Sequence, residues 1–499
     1  MRLPLFFGIV AGYAVLAQGQ KIVPEPALAR ENAPQVFNAV HSAMRQWGSS
    51  GNLRASLHQT HLNNISLTVY HNGMSFFLVT VPRGNLFYHG CATPERRSGL
   101  EWLAFEPEHA AYFGSSRDGL VATVDSQPTL RNAPQSILLD PRPPPHREPR
   151  RGYLHTYSAA RDLRLLFTDG QSAAKGLPGA LDTQDLVLIM DTILPGGFVE
   201  YERAEALCKL ALAHNLDGVI RIEAGFEIIY CAFEDGGGLD LASVVGSPFS
   251  NETTGETRQA SFESFRAVAQ RYHGFEADRA LVDYSSMVSA FWYPINRTNP
   301  DVSRPDMPRL VNATGEERRT LLDRVLEVTA ARPTRSQFVH WQAVADRVVN
   351  FFERRLAALA APEATPITMR RLLDSILNQF IDFAQPASRR KDTVTMCTYH
   401  HLQRPLGSKS TWTPEDHLIF ESFATVTNRI CASLHALRGG LDDLENMSPD
   451  FAAEKDSVSS LMSWLGWTRW RGCGGLPCQE HNKVCLVRSY ATGVRVTNR

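Results

Sequence analysis

The spacing of apolar residues changes near the middle of this 499-residue chain. Before about residue 245, short apolar runs of strand length alternate with helical patterns. From Ser261 onward, apolar residues recur every three or four positions. Short runs bounded by turn residues predict strands, and a period near 3.6 residues predicts amphipathic helices. The sequence therefore predicts an α+β chain, with a mixed α/β domain over residues 33–245 and a mostly helical region over residues 255–470.

The first half carries several strand and turn signals. Asn72-Gly73 between two apolar runs predicts a hairpin turn. Three consecutive prolines within residues 127–152 predict an exposed loop inserted in the domain. Strands are predicted over 66–70, 74–81, 85–88, 163–167, 186–190, 218–222 and 226–233, and helices over 35–47 and 200–214.

The second half is predicted to pack long helices around an apolar core. Helical stripes run over residues 338–359 and 369–383. A third helix begins at Thr413, which is a good N-cap before Pro414, and is expected to end at the Gly439-Gly440 pair. The last segment, residues 471–499, is a Cys-rich tail that we expect disulfides to stabilise.

The N-terminus predicts export. Arg2 precedes an apolar run, and small residues follow at Ala17 and Gly19, as in a secretory signal peptide over residues 1–19. No later stretch is long and apolar enough to predict a membrane span. Five acceptor sequences for N-glycosylation agree with an extracellular address, at Asn64, Asn251, Asn296, Asn312 and Asn446.

Charge and cysteine content narrow the choice of partners. A net charge of −1 gives no support for a nucleic-acid partner. Eight cysteines in an exported chain predict disulfides, whose pairing the sequence leaves open. The tail cysteines lack the paired spacing of zinc sites, so no metal is expected. Signatures of serine hydrolases, zinc proteases, kinases and P-loop proteins are absent from the sequence.

Three segments together carry a resemblance to a known enzyme family. Residues 85–114 read NLFYHGCATPERRSGLEWLAFEPEHAAYFG, residues 216–220 read LDGVI, and residues 225–230 read GFEIIY. Their order resembles the histidine–tyrosine–glutamate branch of the ADP-ribosyltransferase superfamily, over less than half of the chain. The resemblance implies a related fold for the N-terminal half and NAD as co-substrate.

That resemblance also implies roles for particular residues. Glu227 would stabilise the positive charge that develops when the nicotinamide bond of NAD breaks, with Glu223 as its competitor for this role. His89 would bind the adenosine ribose and act beside Glu227. The cofactor-binding set would be His89, Gly90, Trp102 and Tyr112. An active site of this kind requires His89 and Glu227 to face one cleft.

The alternative is a non-catalytic exported glycoprotein with a structural or interaction role and an extracellular partner. The chain as a whole resembles a secreted family of filamentous fungi without assigned function. Residues 162–166, residues 181–185 and the pattern Trp467-x-x-Trp470-Arg471-x-Cys473 carry that likeness. It implies no activity.

Overall fold

The structure, a computed structural model, describes residues 22–45, 72–114, 151–174, 178–190, 199–222, 225–247, 279–305, 307–331, 339–386, 393–441, 451–467 and 470. The predicted signal peptide, the strand over 66–70, the Cys-rich tail and most of the Pro-rich loop lie outside these residues. So do Glu223 and the acceptors Asn64, Asn251 and Asn446.

The described residues build a nine-stranded mixed sheet in the order β8-β4-β2-β3-β7-β6-β5-β1-β9. Neighbouring strands are antiparallel except β5 and β6. The strands are β1 (Asn72–Val81), β2 (Leu86–Cys91), β3 (Glu101–Ala104), β4 (Tyr153–Ala159), β5 (Leu163–Gly170), β6 (Gly218–Ile222), β7 (Phe226–Tyr230), β8 (Leu239–Gly246) and β9 (Leu281–Ser289).

Helices pack against this sheet and against one another. They are α1 (Pro26–Glu31), α2 (Ala33–Ser42), α3 (Pro107–Gly114), α4 (Glu200–Ala213), α5 (Gly315–Ala330), α6 (Trp341–Leu359), α7 (Pro366–Leu377), α8 (Thr393–His400), α9 (Gln403–Leu406), α10 (Pro414–Gly440) and α11 (Ala452–Leu465). The predicted mixed α+β architecture with a helical C-terminal region is therefore confirmed. In the described ranges, no helix combines the length and apolar character needed to cross a membrane.

Helix α4 connects the parallel strands β5 and β6. Every residue of β6 and β7 is buried, because these central strands are covered on both faces. Central strands of this kind carry near-continuous apolar sequence, as in Gly218–Ile222. Arg221 is the single charged residue in this buried, otherwise apolar strand.

The long helix α10 organises the helical region. The Thr413 hydroxyl accepts a hydrogen bond from the Asp416 amide, and the Asp416 carboxylate accepts one from the Thr413 amide, which forms the predicted N-cap. Helices α1 and α2 pack on α10 although they come from the other end of the chain. The Phe37 ring of α2 lies 4.6 Å from the Phe423 ring of α10 and 6.0 Å from the Trp467 ring. The C-terminal helical core thus includes the N-terminal helices.

An ion pair fixes α2 to α6. The Arg45 guanidinium donates to both carboxylate oxygens of Asp346, at 2.5 and 2.9 Å, and His41 Nε2 lies 3.4 Å from the same carboxylate. Burial raises the pKa of Asp346, but the hydrogen bonds from His41 and Arg45 outweigh it and lower the pKa to about 2. Asp346 is therefore ionised at every physiological pH.

The predicted hairpin turn at Asn72-Gly73 is wrong. Both residues lie in β1, where Asn72 pairs with Gly170 of β5. A Cβ on Gly73 would lie 1.9 Å from the backbone oxygen of Asp169. Glycine is needed here for close packing of two strands, and the Asn-Gly pair does not turn the chain.

The strand predicted over residues 186–190 is also wrong. Thr183–Leu188 forms a π-helical turn whose buried residues include Val187 and Leu188. A short apolar run is compatible with a buried helical turn as well as with a strand, so its length alone could not decide.

Two disulfides are present, which confirms the prediction that cysteines of this chain form disulfide bonds. Cys208 of α4 is bonded to Cys231 just after β7, and Cys397 of α8 to Cys431 of α10. Among the described cysteines, Cys91 is a free thiol.

Candidate functional site

The register of the central strands determines which face each predicted site residue occupies. Tyr88 of β2 pairs with Ala104 of β3, Ala104 pairs with Glu227 of β7, and Glu227 pairs with Arg221 of β6. Directly paired residues project to the same face of a sheet. This face, which α4 covers, is called the α4 face below.

His89 projects to the opposite face, because successive residues of a strand alternate. Its Nδ1 donates to the Trp102 backbone oxygen at 2.7 Å, and its ring lies 5.5 Å from the Phe233 ring. Its Nε2 is 4.0 Å from a Glu101 carboxylate oxygen. Burial lowers the pKa of His89, so the imidazole is neutral near pH 7.

His89 and Glu227 therefore do not line one cleft, and the expectation that they converge is wrong. The motif order in the sequence could not reveal this, because a difference of one residue in strand register moves a side chain to the other face.

The other predicted site residues occupy positions different from that of His89. Trp102 shares the α4 face with Glu227. A Cβ on Gly90 would meet the Ala110 backbone oxygen of α3, so Gly90 allows α3 to approach the sheet. Tyr112 lies on α3, and its side chain is outside the described part.

Glu227 belongs to a buried network of charged side chains on the α4 face. Arg221 hydrogen-bonds to both Glu227 Oε1 and Glu200 Oε1, and its Nη1 donates to Gln184 Oε1 at 3.2 Å. Arg203 extends the network, with its Nη1 donating to the second Glu200 oxygen at 2.6 Å and its Nε donating to Asp185 at 2.7 Å. We call these residues the Arg221 network.

Burial makes the pairing in this network obligatory. The Arg221 side chain is fully buried, and Glu227 is only 6% exposed. Burial alone would lower the pKa of Arg221, but the neighbouring Glu200 and Glu227 carboxylates raise the pKa above its ordinary value. The guanidinium stays charged and holds Glu227 in a fixed orientation.

Sequence reasoning found Glu227 but missed Arg221, Glu200 and Gln184. One signal was available. A lone arginine inside an apolar strand cannot stay buried without a carboxylate partner, and the next strand carries Glu227. The helical partner Glu200 gave no such signal, because a glutamate in the first turn of a helix is common on exposed surfaces.

The face that carries His89 holds a second polar cluster, formed by Cys91, Thr93, His155 and Tyr157. The Cys91 thiol donates to the Thr93 backbone oxygen at 3.2 Å, and His155 Nε2 donates to the same oxygen at 3.0 Å. Burial raises the pKa of the Cys91 thiol and lowers the pKa of His155. Both shifts oppose the formation of a thiolate–imidazolium pair, although Cys91 Sγ lies 3.5 Å from His155 Nε2. Within the described ranges, no group of three His, Cys, Asp or Glu side chains is arranged to hold a metal ion.

Comparisons with known proteins give relatives without an assigned activity. Residues 118–257 match the sequence profile of a family described as the YPL277C N-terminal domain. The chain is 27% identical to uncharacterized protein YOR389W of Saccharomyces cerevisiae, over 88% of this chain and 78% of the relative. It is 26% identical to uncharacterized protein YPL277C of the same yeast, over 66% of this chain and 75% of the relative. No solved structure matches the chain significantly. These matches support a relationship to a family of uncharacterised fungal proteins.

Proposed function

We propose that this chain is an exported, disulfide-bonded glycoprotein that acts by binding a partner and does not cleave NAD. One observation carries the second half of the proposal. His89 and Glu227, the pair on which NAD cleavage would depend, occupy opposite faces of the sheet. Each is engaged with its own buried neighbours, so neither is free to complete a site with the other.

Export is supported by the signal-peptide pattern of residues 1–19 together with the two disulfides. Disulfides persist in oxidising compartments and are rare in the cytosol. Each bridge ties a helix to a distant segment, with sequence separations of 23 and 34 residues. Bridges of that kind stabilise an extracellular fold.

Glycosylation is supported by the surroundings of the two described acceptors. Asn296 and Asn312 are both exposed and lie on one surface loop, where Asn312 Nδ2 donates to the Thr298 backbone oxygen at 3.1 Å. Asn296 also borders an open cavity of about 480 Å³. A glycan on Asn296 has room there without displacing core residues.

The test is secretion of the full chain from a yeast host. We expect a mature N-terminus near Gln18 or Gln20, and an intact mass that falls after treatment with an endoglycosidase. Asn296→Gln should remove one glycan, and Asn299→Gln, an asparagine outside any acceptor sequence in the same loop, should remove none. A full-length protein that keeps residues 1–19 and stays in the cytosol would refute export.

The second half is tested on the same purified protein. We expect no hydrolysis of NAD above the rate without protein, in wild type and in Glu227→Gln alike. NAD hydrolysis by the wild type that the Glu227→Gln substitution abolishes would show that the enzyme hypothesis was right and the binding proposal wrong.

A further inference from the structure

One edge of the sheet is open among the described residues. Strand β8 pairs with β4 on one side, and no described strand pairs with its other side. Its residues after Leu239 are exposed or partly exposed, with Val244 at 36% and Val245 at 58% exposure. Natural edge strands are often protected from pairing by lysine or proline, and residues 239–246 contain neither. Strand β8 can therefore accept a further strand.

The hydrogen bonds to β4 show which backbone groups of β8 face outward. The Ser247 amide donates to the Gly152 backbone oxygen at 2.7 Å, and the register of the two strands places these residues opposite each other. In an antiparallel ladder, pairs that bond to each other alternate with pairs that do not. Val245 therefore bonds to β4, whereas the amides and carbonyls of Val244 and Gly246 point away from β4. In the described part of the chain, no residue hydrogen-bonds to these outward groups.

An extra residue limits the regular part of this edge. Tyr157 pairs with Leu241 and Thr156 pairs with Ser243, so Ala242 has no opposite residue in β4. A bulge of this kind twists the strand and interrupts its ladder, so regular pairing is available only after it. The regular part is residues 243–247, which we call the β8 edge.

Two-fold symmetry makes the β8 edge complementary to itself. When two copies pair antiparallel about Val245, Val244 of each copy lies opposite Gly246 of the other. Every outward amide then meets an outward carbonyl, because both residues of each such pair bond across the ladder. The two Val245 side chains meet at the non-bonded position between these pairs, where the Cα atoms are about 4.5 Å apart. Gly246 has no side chain that could obstruct Val244 of the other copy.

The charge of β8 also permits pairing with a second copy. Asp240 is the single charged residue of this strand. In the pairing about Val245, the two Asp240 residues are offset by about ten positions, or about 33 Å at the rise of a strand. Physiological salt screens exposed charges over about 8 Å. The two carboxylates therefore do not repel each other, and the apolar centre of the edge is free of charge.

We propose that the β8 edge joins two copies of this chain into a symmetric dimer, in which their nine-stranded sheets continue as one sheet. A contact of a few residues from each copy is smaller than a standard interface, so the dimer is weak, with a Kd of about 10–100 µM. The inference goes beyond the proposed function, since it concerns self-association and holds whether or not the chain binds a further partner.

The experiment is sedimentation velocity on the purified full-length protein, treated with an endoglycosidase, from about 1 to about 300 µM, a range that brackets this Kd. We expect monomer at the lowest concentration and dimer at the highest. Val245→Lys places two ammonium groups opposite each other and should weaken the dimer at least about tenfold. Circular dichroism verifies its fold. Leu281→Lys changes an exposed apolar residue on β9, the opposite edge strand, and is the matched control that should leave dimerisation unchanged.

Cysteine cross-linking tests the register. Val245→Cys should give a covalent dimer under mild oxidation that a reductant reverses, because the non-bonded position brings the two Cα atoms within the range of a disulfide. Asp240→Cys is the control. Its copies lie about 33 Å apart, so it should not cross-link above the level of wild type, which carries the same native cysteines.

Three results would overturn the proposal. They are a wild type that stays monomeric at the highest concentration, a Val245→Lys variant that dimerises as tightly as wild type, and cross-links through Asp240→Cys in place of Val245→Cys. Hydrogen exchange separates the causes in the first case. Protected Val244 and Gly246 amides in a monomer would show that another segment of this chain covers the β8 edge.

Discussion

Replacing Arg221 with Met should reveal how strongly the fold depends on its buried charge network. Met is similar in length and apolar, so the substitution leaves little empty space but removes the guanidinium that hydrogen-bonds to Glu227. The Glu227 carboxylate would remain in an environment where it is 6% exposed and has lost its counter-charge. Glu200 would be affected less, because Arg203 still binds it.

The expected cost follows from this asymmetry. Removing one partner of a buried ion pair typically destabilises a protein by about 3–5 kcal/mol, because an uncompensated charge is left behind. Here one of the two carboxylates keeps a partner, so we expect the lower end of that range, about 3 kcal/mol. Adding Glu227→Gln to Arg221→Met removes the stranded charge and should restore part of the loss.

The assay is a double-mutant cycle of urea unfolding, followed by tryptophan fluorescence and circular dichroism. Wild type, Arg221→Met, Glu227→Gln and the double variant should give a coupling energy of at least about 1.5 kcal/mol, since the two groups are in direct contact. Arg161→Met is the control. Arg161 is half exposed in its pair with Asp217, and its loss should cost less than about 1 kcal/mol. A coupling energy near zero, or equal losses for Arg221→Met and Arg161→Met, would refute the reasoning.

Three further outcomes are expected. The depressed pKa of Asp346 contributes stability that is present above pH 3.8 and is lost as the pH falls through about 2. Asp346→Asn should flatten this acid limb in a pH series of thermal unfolding, by at most about 2.5 kcal/mol. Replacing both Cys208 and Cys231 with Ser should cost about 3 kcal/mol in urea unfolding, because the bridge closes a loop of 23 residues; an unchanged midpoint would contradict this. Gly73→Ala should lower the melting temperature sharply because its Cβ would overlap neighbouring backbone, whereas Gly315→Ala, with nothing within 4 Å, should not.

Local sequence patterns correctly predicted several helices and buried strands. The sequence predicts the helical stripes of α6 and α7, the cap at Thr413 and the apolar runs of β5, β6 and β7. Burial of one face of a helix, or of a whole strand, requires apolar residues at regular positions, and that spacing is visible in the sequence. Strands β3, β4, β8 and β9 were missed. Strand β8 is largely exposed at one edge of the sheet, so it needs no strong apolar pattern. Strand β9 forms the other edge and is half buried, but serines interrupt its apolar pattern.

The candidate site was predicted less well, for a different reason. A motif fixes the order of residues but not the face of the sheet to which each side chain projects. His89 and Tyr88 are neighbours in sequence, yet only Tyr88 shares a face with Glu227. The contact between Arg221 and Glu200 joins a strand to a helix 21 residues away, and only tertiary packing creates it.

The position of α1 and α2 has a consequence for the order in which this protein can be made. These helices leave the ribosome first, but the surfaces that bury Phe37 belong to α10 and to Trp467, which are synthesised last. During synthesis the apolar face of α2 has no native helical partner from the C-terminal half for about 300 residues, the separation between Ser42 and Trp341 of α6. The α2 face is therefore covered only after α6 and α10 have been synthesised. A chain that lacks α6 and α10 would leave the apolar face of α2 without the helices that cover it.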